Sequence, residues 1–502
     1  MTDVVAETIR GRAGSPPRAL VAGLGLLFAL RLLVAGFAGL TDDEAYYRLW
    51  SLELRAGYYD HAPMVAWVIR AGRDLLGDTA LGLRIFAPLA ALVGSLLLWR
   101  TVALIDGRTC ATRAVVFFNA TLLLGAGSVL VTPDTPSVFF WGVALWALAE
   151  LTASREPNWW LVVGLAAGLG LVSKYSVFFL GLGILLWLVA TRDTRRWFAA
   201  WQLWVGGAVA LAIFAPVVAW NADHQWISFV KQFGRTVPHG LRPEKVLEFV
   251  AVQWLLIGLP LAPLVVLGTV RTLRHRATSS AGGTAGALLP LATSAPFLAY
   301  LLFHSLHGGV EGNWPAPLYA AFAWSAARAL PAIVELGGRL RGIAAAAARI
   351  AAPLGFALTG LLYLHAVFGL VVLPPERDPT AQMRGWDAFA ADLEALRRDT
   401  GAAWIAVPSY TMVGQLARRL GTDRVVQLSE TERYAHLAPP DPHRLAEPAL
   451  FVARAAKNPL PRFADRFAAV VDRGTRERTW RGRVVDTYTV HLVSGARGDP
   501  RR

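Results

Sequence analysis

The chain has 502 residues, 55% hydrophobic and only 17% charged, with 19 tryptophans; this excludes an ordinary soluble enzyme and fits a protein that meets lipid, with tryptophans suited to interfacial belts. The net charge of +14 resides largely in arginines between apolar runs, so it marks membrane topology rather than nucleic-acid binding. The single cysteine, Cys110, excludes an intramolecular disulfide.

Apolar runs long enough to cross about 30 Å of hydrocarbon recur at 19–40, 85–105, 114–131, 137–152, 159–173, 176–190, 198–220, 246–269, 286–303, 315–333 and 350–373. They predict an all-α polytopic membrane protein of about eleven transmembrane helices. The first run contains Arg31 and lacks a small-residue cleavage site behind it, so it reads as a retained anchor. With the N-terminus in the cytoplasm and sides alternating, Arg100, Arg108, Arg155, Arg192, Arg271 and Arg339 all fall on the cytoplasmic side. The opposite loops after the first carry far fewer basic residues, as the positive-inside rule requires.

Residues 41–84 form the first outer loop and break that trend with several arginines, which predicts a structured element. It opens with three adjacent acids, Asp42, Asp43 and Glu44, beside a membrane-crossing run. An acid there is paired, solvated or functional, because burying it alone is costly. A hydrated cap for the next helix is the plain alternative. The loop also holds Tyr46-Tyr47, then Gly57, Tyr58-Tyr59 and Asp60-His61 before Pro63, more than a cap needs. Asp60 and His61 either pair with each other or face a ligand.

Later outer loops add polar residues to the same face. TPDTP at 132–136 places Asp134 at the end of a span, and Lys174-Tyr175 lies in a minimal turn between two spans. Residues 221–245 bring Lys231 and Arg235, and 304–317 bring Asn313 and Trp314. Five loops on one face predict one cavity there. Snorkelling is the alternative for Lys174, and the interfacial belt for Trp314.

PPERDP at 374–379 reads as a linker to a C-terminal α/β soluble domain, giving a membrane domain at 1–373 and an outer domain at 374–502. Strands are expected at 402–408, 424–429, 449–454, 467–474 and 484–493, with an amphipathic helix at 410–421 that stops at Gly421. No nucleotide-binding or zinc spacing occurs in it, so it reads as an accessory or acceptor-contacting domain.

DEAYY at 43–47, GYYDH at 57–61, TPDTP, SKY at 173–175 and GNWPAP at 312–317 together resemble the bacterial membrane glycosyltransferases of the GT-C fold. The likeness is to the dolichyl-phosphate-mannose-protein mannosyltransferase-like group and the lipid A aminoarabinose transferases, and it covers about residues 20–330. It implies a polyprenyl-phosphate-linked sugar donor, a lipid, glycan or protein acceptor, and transfer on the periplasmic face of the bacterial inner membrane. Asp43 matches the catalytic carboxylate, with Glu44 its partner in the motif. Tyr58, Tyr59, Asp60 and His61 match the donor-binding segment, where His61 stands in place of a lysine that helps hold the donor phosphate. A histidine is cationic only when its pKa lies above about 6.5. Asp134 is expected to hold the basic residue of the first loop or the acceptor, and Lys174 matches the lysine of the SKY turn.

The chemistry suits these residue types. Displacing phosphate from an anomeric carbon needs a carboxylate to take the acceptor proton and cations to stabilise the leaving phosphate. Asp43 is the base in this reading; Lys174, His61, Lys231 and Arg235 are the cations, and Trp314 or the tyrosines stack on sugar or prenyl chain. These residues name no cofactor with certainty, and a divalent cation among Asp43, Glu44, Asp60 and Asp134 stays open as an alternative. A flippase or polytopic transporter is the competing function; it predicts polar residues deep in the spans and internal repeats. A purely structural anchor leaves the first-loop cluster unexplained.

Overall fold

The computed structural model describes residues 14–234, 240–275, 281–371, 373–457 and 459–501. The chain forms two compact units. The first contains the residues up to Ala35, Asp60–Val65 and Arg84–Tyr363; the second contains Gly36–Tyr59, Ala66–Leu83 and Leu364–Arg502. This division differs from the expected cut at 374, because most of the first loop folds with the C-terminal segment.

Among the described residues, six helices are long and apolar enough to cross a membrane: Arg18–Phe37, Ala80–Ala120, Asp134–Ser154, Trp201–Asp223, Thr284–Ser305 and Gly338–Phe368. Two bent pairs raise the number to eight, Tyr175–Ala190 with Arg192–Ala199 (113°) and Pro243–Ile257 with Leu261–Arg274 (101°). The chain is a multi-pass membrane protein. Every apolar run of the sequence falls on a helix, yet fewer than eleven helices have full length. The runs at 85–105 and 114–131 share helix Phe86–Ala120, which is broken at Gly107 with φ 83°. Those at 159–173 and 315–333 become helices of 13 and 14 residues, about 20 Å long at 1.5 Å per residue.

The first unit is a helical bundle whose helices approach closely through small residues, as membrane helices commonly do. A Cβ on Gly268 would lie 1.7 Å from the Ser325 carbonyl oxygen, so helices Leu261–His275 and Tyr319–Ala332 touch backbone to backbone. The tryptophans correct the sequence reading. Trp99, Trp141, Trp160, Trp187 and Trp324 are buried in the bundle core rather than spread at interfaces, while Trp201, Trp204 and Trp226 are exposed.

The second unit is built on a five-stranded sheet: β1 Trp404–Val407, β2 Val425–Gln427, β3 Ala449–Arg454, β4 Phe467–Trp480 and β5 Arg483–Ala496. Its order is β2-β1-β3-β5-β4, with β1 parallel to β2 and β3, and β5 antiparallel to β3 and β4. β4 runs beyond the expected 474 because Arg481 and Gly482 both take positive φ (50° and 74°). That is the two-residue hairpin turn matching strand twist. Against this sheet's helix Tyr410–Leu420 lies the first-loop helix Asp42–Trp50. A Cβ on Gly414 would come within 2.6 Å of Tyr46 N, so the glycine is what admits that helix.

Candidate active site

In the second unit, helix Asp42–Trp50 starts from a capping box. Thr41 Oγ1 accepts from the Glu44 N–H at 3.2 Å, and the Thr41 N–H donates to Glu44 Oε2 at 2.9 Å. Each side chain satisfies a backbone donor that the first helical turn would otherwise leave open. Glu44 is fully buried. Asp42 is buried too: its backbone N–H donates to Gln382 Oε1 at 3.0 Å, its Oδ1 accepts from Gln415 Nε2 at 3.2 Å, and Arg454 Nη2 stands 3.7 Å from Oδ2. Burial outweighs these partners and raises the Asp42 carboxyl to about 6. Asp43, between them, is the one exposed residue of the helix. Tyr410 Oη donates to its Oδ1 at 3.3 Å. One turn of helix thus gives three acids three environments.

Aromatic rings surround that turn. Tyr58 stacks on Trp50 at 4.4 Å, donates its hydroxyl to the Trp50 and Glu53 carbonyls at 3.0 Å, and accepts from the Arg55 N–H at 3.1 Å. Burial pushes its hydroxyl up to about 12. Tyr59 lies under the guanidinium of Arg433 at 4.9 Å, and Tyr410 under the same guanidinium at 4.5 Å. Arg433 Nε also donates to Glu430 Oε2 at 2.9 Å.

In the first unit, three motifs meet at Asp134. Lys174 Nζ donates to Oδ1 at 2.6 Å and Asn313 Nδ2 to Oδ2 at 2.7 Å. Thr132 Oγ1 accepts from the Asp134 N–H at 3.3 Å, fixing the acid at the first turn of helix Asp134–Ser154. The Asn313 segment is tied in turn: Gln253 Nε2 donates to the Gly312 carbonyl at 3.0 Å, and Tyr319 Oη donates to Gln253 Oε1 at 2.8 Å. Asp134 is expected to hold the basic residue of the first loop or the acceptor; in this structure its two oxygens accept from Lys174 and Asn313. Trp314 lies with its ring 5.3 Å from His304.

Asp60 and His61 belong to this unit. The Met64 N–H donates to the Val172 carbonyl at 2.9 Å, which sets their segment beside the Lys174 turn. Gln232 Nε2 donates to the Asp60 carbonyl and lies 3.5 Å from His61 Nδ1. Helix Ile227–Gly234 carries Gln232 and its neighbour Lys231, and Ser228 of that helix shares a 2.7 Å hydrogen bond with Tyr175 Oη. Arg235 lies outside the described residues.

Among the described residues no group of three or more His, Cys, Asp or Glu side chains is placed to hold a metal ion. Both Asp134 oxygens are bonded to nitrogen donors, and Glu44 Oε2 serves the Thr41 cap. Asp43, Glu44, Tyr58 and Tyr59 fall in one unit, and Asp60, His61, Asp134, Lys174, Lys231, Asn313 and Trp314 in the other. Sequence reasoning missed Tyr410, Arg433 and Gln232. Tyr410 opens the amphipathic helix after Pro408-Ser409, a weak signal; Arg433 carries none, since only the fold sets it over the tyrosines.

The family of dolichyl-phosphate-mannose-protein mannosyltransferases matches residues 60–220. The lipid A galacturonosyltransferase RgtD of Rhizobium johnstonii is 30% identical over 291 residues, 56% of this chain and 58% of that protein. The undecaprenyl phosphate-alpha-4-amino-4-deoxy-L-arabinose arabinosyl transferase of Erwinia tasmaniensis is 30% identical over 179 residues, 34% of this chain and 29% of that one. The match therefore spans less than two thirds of the length of these curated relatives. Among solved structures, ArnT from Cupriavidus metallidurans bound to undecaprenyl phosphate superposes with a TM-score of 0.65 at 14% identity, covering 93% of this chain and 96% of that one. The archaeal oligosaccharyltransferase AglB from Archaeoglobus fulgidus gives 0.51 at 12% identity, covering 87% and 69%. The resemblance carried by the motifs is thus shown at the level of fold: the chain has the GT-C fold of the bacterial membrane glycosyltransferases.

Proposed function

We propose that the chain is an integral membrane glycosyltransferase that moves a sugar from a polyprenyl-phosphate-linked donor to an envelope lipid, glycan or protein. The observation that carries this reading is Asp43, an exposed carboxylate on an otherwise buried helix, in a chain with this fold. Asp43 takes the acceptor hydroxyl proton as the acceptor oxygen attacks the anomeric carbon. The bond from that carbon to the phosphate oxygen breaks, and polyprenyl phosphate leaves with the electron pair. Its charge calls for cations, a role assigned to His61, Lys174, Lys231 and Arg235, with Tyr59, Asn313 and Trp314 as sugar or prenyl contacts. Glu44 supports the role of Asp43 by capping its helix, and Asp134 by fixing Lys174 and Asn313.

RgtD makes lipid A the first acceptor to test, and RgtD and the arabinosyl transferase together suggest a uronic acid or an amino sugar on the lipid-linked donor. His61 stands where the aminoarabinose enzymes carry a lysine, so the donor-phosphate contact and the sugar are the features the assay must identify. In this reading the protein sits in the bacterial inner membrane, its N-terminus cytoplasmic and the segment 374–502 periplasmic. A reporter fused after residue 380 is then active in the periplasm and one at 195 in the cytoplasm; the reverse result overturns the orientation. The decisive assay incubates purified protein with labelled polyprenyl-phosphate sugars and lipid A. Transfer or donor hydrolysis supports the enzyme, whereas binding without turnover favours a flippase.

A further inference from the structure

The far ends of the bundle helices hold a second, differently charged cavity. Helix Tyr319–Ala332 follows directly on the Asn313 segment, and Arg328 lies nine residues further, about 13 Å along the axis. There a cavity of about 350 Å³ is lined by Asp106, Cys110, Arg113, Arg271, Thr272 and Arg328, among others. Three guanidiniums thus face one carboxylate. That carboxylate is already engaged: Asp106 Oδ2 accepts from Arg328 Nε at 2.6 Å and from Trp324 Nε1 at 2.5 Å. Arg328 is buried, with its Nη1 donating to the Ala287 carbonyl at 2.7 Å and its guanidinium 4.6 Å over the Trp324 ring. Yet Arg328 Nη2 and Arg271 Nη1 are both buried without a hydrogen-bond partner among the described residues. Among the described residues Arg271 forms an ion pair with Glu335, at 3.7 Å on a largely exposed side chain.

Native proteins rarely leave buried donors unmade, because the lost hydration is not recovered. Two such donors on guanidiniums in one cavity of positive balance specify an anion with several acceptor oxygens. Planar guanidinium forks suit phosphate in particular. Val266, Val270 and Leu273, on the helix that carries Arg271, are exposed apolar residues, as expected of a surface running along acyl chains beside the cavity mouth.

We propose that this cavity binds a phosphate group, either the headgroup of an anionic membrane phospholipid or free phosphate. The site is independent of the transfer reaction and stands or falls without it.

The test uses the full chain, delipidated in neutral detergent. Thermal unfolding and native mass spectrometry are followed with phosphatidylglycerol, with diacylglycerol as the phosphate-free lipid, and with inorganic phosphate. Stabilisation by phosphatidylglycerol but not diacylglycerol, weakened about tenfold or more in Arg113→Gln/Arg271→Gln, supports the site and a lipid source. An equal shift from inorganic phosphate, lost in the same variant, supports the site with free phosphate as ligand. No shift from either probe, or equal binding by the variant, overturns it. Arg113 is exposed, so Arg113→Gln alone repeats the comparison should the double variant unfold.

Discussion

Two acids, Asp43 and Asp134, come from the same set of sequence motifs, and the fold treats them oppositely. Asp134 is buried and has both oxygens bonded, one to the Lys174 ammonium and one to the Asn313 amide. Asp43 is exposed on a helix whose other residues are buried, touched by the Tyr410 hydroxyl at the long distance of 3.3 Å. An acid whose lone pairs are already committed to charged and amide donors is a poor proton acceptor and a good fastener. An acid that faces outward from a rigid, capped turn can take a proton from something that arrives. In the proposed reading, the difference separates a residue that builds a site from one that reacts in it.

The largest effect expected from breaking this contrast is at Asp43. Asp43→Asn keeps the size and removes the base, so transfer falls by about 10²–10⁴-fold while the unfolding temperature stays put. Asp42→Asn, one residue away, leaves turnover within a few-fold. Equal losses in both variants, measured in the donor-to-acceptor assay, remove Asp43 from the mechanism.

Asp134 is expected to fail differently. Asp134→Ala leaves the Lys174 ammonium, whose side chain is 13% exposed, without its carboxylate. Stability drops by on the order of 3 kcal/mol, read as a lower unfolding temperature in detergent. Asp134→Asn retains an acceptor for one partner and loses less. Loss of activity in Asp134→Asn at unchanged stability would instead give Asp134 a direct part in the chemistry.

Much of this was legible in the sequence, for identifiable reasons. Hydrophobic runs report helices because lipid demands apolar surface and internally bonded backbone, and each run lies on a helix. The sheet strands were legible because β1 is buried throughout and β3 in all but its last residue, so that they read as short apolar runs between turns. Span length was less legible, since Gly258 ends a helix inside the continuous run 246–269 and helix Phe86–Ala120 carries on, kinked at Gly107, through the polar residues between two runs. The motifs TPDTP, SKY and GNWPAP read as one face, while the pairing of Asp134 with Lys174 and Asn313 depends on how the helices bring the three turns together. The folding of 42–50 against 410–420 was illegible. It depends on the absence of a side chain at Gly414 and on partners 340 residues or more away, such as Gln382 and Gln415.

The buried neighbour of Asp43 sets a pH test of intermediate size. The Asp42 carboxyl sits at about 6 in the folded chain against an ordinary 3.8, through burial. The folded state therefore holds its proton more tightly than the unfolded state. Its contribution is neutral below about pH 4 and becomes destabilising as pH rises through 6, reaching on the order of 3 kcal/mol at most. Asp42→Asn mimics the protonated form. It should match the wild type at pH 4 and unfold at a higher temperature at pH 7, with Arg454 still held by Asp486 at 3.0 Å. A wild type that gains stability from pH 4 to 7 relative to this variant means that Arg454 and Gln415 outweigh burial.

The smallest expected effect tests whether the C-terminal segment merely accompanies the site. Tyr410 belongs to that segment, and its hydroxyl donates to the Asp43 carboxylate. A donor to the charged form lowers basicity, because it stabilises the carboxylate before it takes the proton. Tyr410→Phe removes the donor and keeps the ring that meets Tyr46 edge-on at 5.1 Å, so packing is preserved. A hydrogen bond of this length contributes about 0.5–1.5 kcal/mol, so turnover should change by only a few-fold. The acidic limb of the pH–rate profile should move to higher pH, since Asp43 becomes easier to protonate. A merely structural Tyr410 would lower stability and leave that limb in place. A shifted limb at unchanged unfolding temperature identifies Tyr410 as a positioning residue that tunes the base from the C-terminal segment.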